Sequence, residues 1–148
     1  MDSTGNEIPE FRSDGFLPVG LHVASLANVT FRFGSSNRQR RRLVLRLRRW
    51  CELARAVNAK RLFVDGSFVT AKEIPNDVDA VVLLPDNFRS QLNANIDAAV
   101  ELEEMLLTRQ PQEIFAAEDM QDWNEWLEFF GRTREPDQRR KGLIEVKL

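Results

Sequence analysis

The run Asp77-Val78-Asp79-Ala80-Val81-Val82-Leu83-Leu84 constrains this chain more than any other segment. Six of its eight side chains are apolar and three of those are valines, and Pro85 stops it, so it reads as a buried strand. Its two acids stand at the entry, at positions i and i+2, which share one face of an extended strand. Two carboxylates brought together beside an apolar strand repel each other unless a cation neutralises them. Hard oxygen ligands of this kind suit Mg²⁺ or Mn²⁺.

The segment before it supplies a complementary feature. Arg61-Leu62-Phe63-Val64-Asp65 reads as a short buried strand ending at Gly66, followed by a turn over Ser67–Lys72 with Pro75 and Asn76 as breakers. Glycine lets backbone approach a phosphate closely, and the start of a helical turn presents free N–H donors. The Ser67 hydroxyl adds a hydrogen bond, and Lys72 is placed to reach a phosphate oxygen as a point charge, although a solvated lysine reads equally well. Thr70 is a weaker candidate of the same sort. Asp65 is expected to end its strand by bonding turn N–H groups. A Gly66-Ser67 cradle beside Asp77 and Asp79 is the outline of a triphosphate site.

The remaining elements follow from periodicity. Ser35, Ser36 and Asn37 offer caps to an amphipathic helix over 38–58, whose stripe is Leu43, Leu47, Trp50, Ala54 and Val57. A helix from Asp86 or Asn87 to about Arg109, a strand at Gln112–Ala116, a helix over 119–130 and a last strand at Leu143–Leu148 complete the series, with a polar, charged loop at Gly131–Lys141. Residues 1–34 lack clear helical periodicity and read as an irregular arm that packs on the core, its first dozen residues loose. Residues 35–148 form the domain proper. The expected class is α/β (α+β): one mixed sheet of about four strands covered by helices.

Charge is strongly segregated. Between Arg32 and Arg61 eleven Lys/Arg residues face one acid, whereas the rest of the chain carries ten basic and twenty-two acidic residues. The helix arginines Arg38, Arg41, Arg42 and Arg49 therefore suggest contact with an anionic partner, either nucleic acid such as transfer RNA or an acidic protein surface; a solvated helix face is the plain alternative. Cys51 and His22 are each the only residue of their type, which argues against a disulfide, a zinc cluster or histidine chemistry and for packing roles. The polar, acidic start is unlike a signal peptide, and no apolar run approaches the roughly 20 residues that span a bilayer, so a cytoplasmic location is expected.

The Gly66-Ser67 pair, the nine-residue gap Phe68–Asn76 and the Asp77-Val78-Asp79 strand resemble the signature of the polymerase-β-type nucleotidyltransferase superfamily. The similarity is closer to a group of small, uncharacterised prokaryotic nucleotidyltransferase-like proteins. It rests there on Leu17-Pro18-Val19-Gly20-Leu21-His22, Asp65–Lys72 and Trp126-Leu127-Glu128-Phe129-Phe130. The resemblance implies a single-domain nucleotidyltransferase-like fold, Mg²⁺ or Mn²⁺ on Asp77 and Asp79, a nucleoside triphosphate held by Gly66, Ser67 and Lys72, and a third carboxylate on a later strand. Glu113 occupies the matching place, with Glu118 and Glu145 behind it. It further implies transfer of a nucleoside monophosphate to a hydroxyl of RNA or protein, in the manner of small toxin–antitoxin or defence enzymes.

Two departures from that pattern favour a second reading. Phe68-Val69-Thr70 stands where many active members carry a small or basic residue and another glycine, and the third acid is Glu rather than Asp. A degenerate module that binds nucleotide, RNA or a protein partner without turnover is the alternative. Self-association into a homo-oligomer through the basic helix and the acidic remainder is a third.

Overall fold

The computed structural model describes residues 8–108 and 113–148. The expected first residues of the arm, the helix end at Arg109 and the strand start at Gln112 lie outside the described residues. Five strands form one mixed sheet: β1 (Gly20–Ala24), β2 (Arg61–Asp65), β3 (Asp79–Leu83), β4 (Ile114–Ala117) and β5 (Gly142–Val146), in the order β1-β5-β2-β3-β4. β2 runs antiparallel to both β3 and β5, while β3 is parallel to β4 and β1 is parallel to β5. The helices are α1 (Leu26–Phe33), α2 (Arg38–Ala56), α3 (Phe88–Asn93), α4 (Asp97–Thr108) and α5 (Met120–Phe130).

Strand alternation divides the core into two layers. Val64, Ala80, Val82 and Ile144 point into a large cluster with Leu43, Leu47, Trp50 and Ala54 of α2 and with Leu102 of α4. Phe63, Val81 and Leu83 face the other way, onto Trp123 and Phe130 of α5. The strands are buried on both faces because helices cover both, as the continuous apolar run of β3 requires. Each fully buried side chain of this kind contributes about 1.5–3 kcal/mol.

The mixed α/β class is as read from the sequence, but three elements differ. The arm is not irregular throughout: Gly20–Ala24 adds a fifth strand at the sheet edge and Leu26–Phe33 is a helix, capped by Ser25, whose hydroxyl accepts from the Asn28 N–H at 3.1 Å. The alternation of Val19, Leu21 and Val23 is brief and follows Pro18, two of those side chains stay exposed at an edge strand with only Ala24 buried, and its partner β5 lies more than a hundred residues away. The helix expected from Asn87 onward is two helices, because Asn95 takes a left-handed φ of 57° between α3 and α4. β3 begins at Asp79 rather than Asp77.

Among the described residues no helix is long and apolar enough to cross a membrane. Cys51 is fully buried and its thiol is pushed up to about 11 by burial, in keeping with a packing role. His22 Nε2 lies 2.7 Å from the Pro18 carbonyl, fixing the entry segment into β1.

Candidate functional site

β2 delivers Asp65 to the end of the sheet, and the chain then reverses through Gly66 and the single 3₁₀ turn Ser67–Val69. Gly66 adopts φ +93°, and a Cβ there would stand 2.8 Å from the Asp77 carbonyl oxygen. Only glycine fits both constraints. Gly66→Ala is therefore expected to destabilise the fold by about 1–3 kcal/mol, the usual scale of a strained backbone position. Urea unfolding checks it, and an unchanged midpoint would show that the loop relaxes freely.

The tight turn lays the Gly-Ser loop against the segment entering β3. The Phe68 N–H donates to the Asp77 carbonyl at 3.0 Å. The Ser67 N–H and hydroxyl both donate to Asp77 Oδ1, at 2.9 and 2.6 Å, and the hydroxyl accepts from the Asn76 N–H at 2.8 Å. Ser67 and Asp77 thus share one site as the sequence suggests. The cradle donors expected to meet a phosphate, however, are held by the Asp77 carboxylate. The loop and the acid are close enough to satisfy each other, and an anion reaching Ser67 must displace Oδ1.

Beside this pair, Asp79 stands directly across the ladder from Asp65. Asp65 is buried and ion-paired with the buried Lys141 ammonium. Burial raises the Asp65 carboxyl to about 6, against the pull of Lys141 and of the Gly66 N–H. Burial, then the charges of Asp77, Asp65 and Glu113, push Asp79 up to about 8. At Asp77 burial opposes the charge, but the two Ser67 donors, the contact with Asp79 and the Arg134 charge outweigh it and hold the carboxyl below its usual range. One aspartate is thereby kept ionised while its neighbour holds a proton.

The sign of the resulting pH dependence follows from linkage. Asp79 binds its proton more tightly folded than unfolded, so this contribution is full below the ordinary aspartate value of 3.8 and is lost as pH rises through about 8. Asp65 acts in the same direction up to about 6. Without divalent cations, the melting temperature is expected to fall steadily between pH 6 and 8.5. Thermal melts across that range check it; a flat or rising curve would contradict the carboxylate cluster.

The three aspartates line a cavity of about 690 Å³. One wall is Gly66, Ser67, Lys72 and Asn76; the other is Phe129 and Phe130 from the end of α5; Arg132, Thr133 and Arg134 stand on the following loop. Lys72 is part of this lining, whereas Thr70 is used within its own loop, donating to the Ser67 carbonyl at 2.7 Å.

Glu113 precedes β4 with a left-handed φ of 53°, and its carbonyl accepts from the Ala80 N–H at 3.1 Å. Its charge is near enough to raise Asp79, yet its side chain is not among those lining the cavity. The weaker candidates fall away. Glu145 is engaged by Arg61 through two bonds of 2.8 and 2.6 Å. Glu118 follows the far end of β4, and β4 is parallel to β3, so it lies at the opposite end of the sheet from Asp79. Among the described residues no group of three or more His, Cys, Asp or Glu side chains is arranged to hold a metal. Asp77 and Asp79 remain the two hard donors in contact.

The arginines of α2 do not line the cavity. Arg49 is committed to Glu101 and Glu52 and offers little to a partner. Arg40 has a different function that sequence reading folded into the basic block. Its buried guanidinium donates to the carbonyls of Phe33 (3.1 Å), Phe68 (2.7 Å), Thr70 (2.8 Å) and Lys72, and so moulds the back of the Gly-Ser loop. Also missed were Arg132, Arg134 and Lys141. The only sequence signal for them is the density of basic residues in the loop before β5.

The model of a family of unknown function (DUF6932) matches residues 9–147, and the chain belongs to that family. No curated protein and no solved structure matches the chain.

Proposed function

We propose that this member of the DUF6932 family is a metal-dependent nucleotidyltransferase, binding a nucleoside triphosphate in the Asp77–Asp79 cavity and transferring its nucleoside monophosphate to a hydroxyl of RNA or protein. The observation that carries the reading is the contact between the Asp77 and Asp79 carboxylates on the floor of a cavity beside Ser67. There, burial first and then the neighbouring carboxylate charges raise Asp79 to about 8, so that it holds a proton where a cation would fit. Two aspartates suit Mg²⁺, which keeps several waters and takes its other ligands from phosphates. When bound, that ion would neutralise charge along an in-line displacement at the α-phosphorus.

The chain's own groups divide the remaining work. Asp77 and Asp79 would hold the cation, Asp79 giving up its proton to solvent as the ion takes its place. Lys72 and Arg134 would stand beside the triphosphate as positive charges, while the Arg132 guanidinium is already paired with Glu128. The Lys141–Asp65 pair fixes the sheet end against which Asp79 stands. Phe129 and Phe130 exclude water from one wall.

A second reading, nucleotide binding without turnover, is favoured by two specific observations. The Ser67 donors are occupied by Asp77, and Glu113 does not line the cavity. One experiment separates the two. The protein is incubated with each labelled nucleoside triphosphate, Mg²⁺ or Mn²⁺, and RNA or protein acceptors. Incorporation supports the enzyme; cation-dependent binding without incorporation supports the module; the absence of both removes the proposal.

A further inference from the structure

Outside the cavity lining, the chain carries a surface that the proposed chemistry does not use. α2 is 19 residues long, or about 28 Å. Its Arg38, Arg41, Arg42 and Arg48 are exposed and, among the described residues, meet no acid: Arg41 reaches the Ser35 carbonyl, Arg48 reaches the Thr30 hydroxyl, and Arg38 and Arg42 make no ion pair there. Leu45 stands in the middle of this stripe and is 65% exposed, and Phe31 of α1 is 80% exposed. The Arg48–Thr30 and Arg41–Ser35 contacts tie α1 to α2 on either side of Phe31 and Leu45 along the chain, so both side chains belong to the outer surface of this helix pair.

We infer that this arginine-framed apolar patch docks an acidic amphipathic segment of a partner protein. Three observations select that occupant. First, an exposed Phe and Leu inside a ring of arginines is the composition of an interface centre, with apolar anchors and a charged surround. Phosphate backbone would use the arginines but leave Leu45 without a counterpart. Second, the chain as a whole is acidic, with a pI of about 5.5. A long polyanion extending beyond the stripe meets a repelling surface, whereas a short segment touches the stripe alone. Third, the acids of the neighbouring helix are few or already used: α4 exposes Asp97 and Glu104, while its Glu101 is held by Arg49. The occupant brings its own acids and an apolar side to cover Phe31 and Leu45; a second copy, whose exposed acids lie around α5, is the competitor that the oligomeric state tests.

The test uses the full chain as selector for a displayed library of random peptides, with total transfer RNA as a parallel probe. Enriched peptides should combine Asp/Glu with Leu, Ile or Phe at helical spacing, and their affinity should weaken as salt rises from 50 to 300 mM, a range of about twofold in screening length. The pair Phe31→Ser and Leu45→Ser should weaken binding by at least about tenfold, and the pair Arg38→Glu and Arg42→Glu should weaken it further. Melting curves of both variants should match the parent, since all four side chains are at the surface. The inference is overturned if no acidic peptides are enriched, if their binding ignores either pair of substitutions, or if transfer RNA binds and depends on the arginines but not on Phe31 and Leu45. Salt-sensitive oligomers of the chain alone that dissociate in these variants would assign the patch to a second copy instead. All of these readouts are independent of catalysis at the cavity.

Discussion

Asp79→Asn is expected to lower nucleotidyl transfer by more than about 100-fold while making the cation-free protein harder to unfold. Loss of groups that merely orient a metal ligand costs 10–100-fold, and loss of the ligand itself exceeds that. The stability change has the opposite sign because Asp79 is buried against Asp77, Asp65 and Glu113, all of its own sign. An amide of the same shape removes the repulsion and keeps the contact with Asp77. At pH 8 the melting temperature should rise by roughly 2–4 °C for each kcal/mol of repulsion relieved. The decline between pH 6 and 8.5 should also flatten in the variant. Asp77→Asn separates the roles, since Asp77 is stabilised as an anion by Ser67. It should lose transfer and also lose stability, because a neutral amide oxygen accepts the two Ser67 donors less well than a carboxylate, and the amide nitrogen cannot accept them at all. Opposite stability changes for two neighbouring aspartates, with a shared loss of activity, are what a cation site predicts. If Asp79→Asn melted below the parent at every pH, the carboxylate cluster would be a structural network rather than a binding site.

Arg40→Met should cost about 3–5 kcal/mol of folding stability, enough to lower the urea midpoint sharply. The guanidinium satisfies four main-chain carbonyls, three of them on Phe68, Thr70 and Lys72 of the loop that follows Gly66. Each buried carbonyl left without a partner costs about 1–3 kcal/mol, and water recovers part of that for the outer two. Arg40→Lys should rescue only a fraction, since a compact ammonium cannot fork across four acceptors. The Arg42→Met control, on the exposed side of the same helix, should stay within about 0.5 kcal/mol. A second readout distinguishes moulding of the loop from general support. Cation-dependent binding of nucleoside triphosphate should weaken in Arg40→Lys under conditions where the variant remains fully folded. Equal stabilities for the Arg40 and Arg42 variants would remove Arg40 from any such position.

The elements that announce themselves in the chain are those whose identity is local. β2 spans Arg61–Asp65 as its apolar run indicates, and α2 begins at Arg38 behind an Asn37 cap, with the Asn37 side-chain oxygen accepting from the Arg40 N–H at 2.9 Å. The Trp123–Phe130 stripe forms α5. Gly66-Ser67 and Asp77-x-Asp79 were legible as one site, because a strand, a tight turn and a second strand leave the chain few ways to arrange them. The edge strand β1 was hidden because the alternation of Val19, Leu21 and Val23 around it is too brief to stand out, and because a parallel partnership with β5 leaves no trace within either segment.

Which charges are neutralised, and by what, is set by contacts between distant parts of the chain. Periodicity and turn chemistry act over a few residues, so the sequence alone determined the strand–turn–strand frame and the residue types at its mouth. Electrostatics acts through space. Lys141 reaches Asp65 across 76 positions of the chain, Arg61 removes Glu145 from consideration across 84, and Arg40 is taken out of the basic surface by carbonyls about thirty residues onward. The state of Asp79 depends on the same folding, since its proton is held by burial and by three carboxylates that only the closed sheet brings within range.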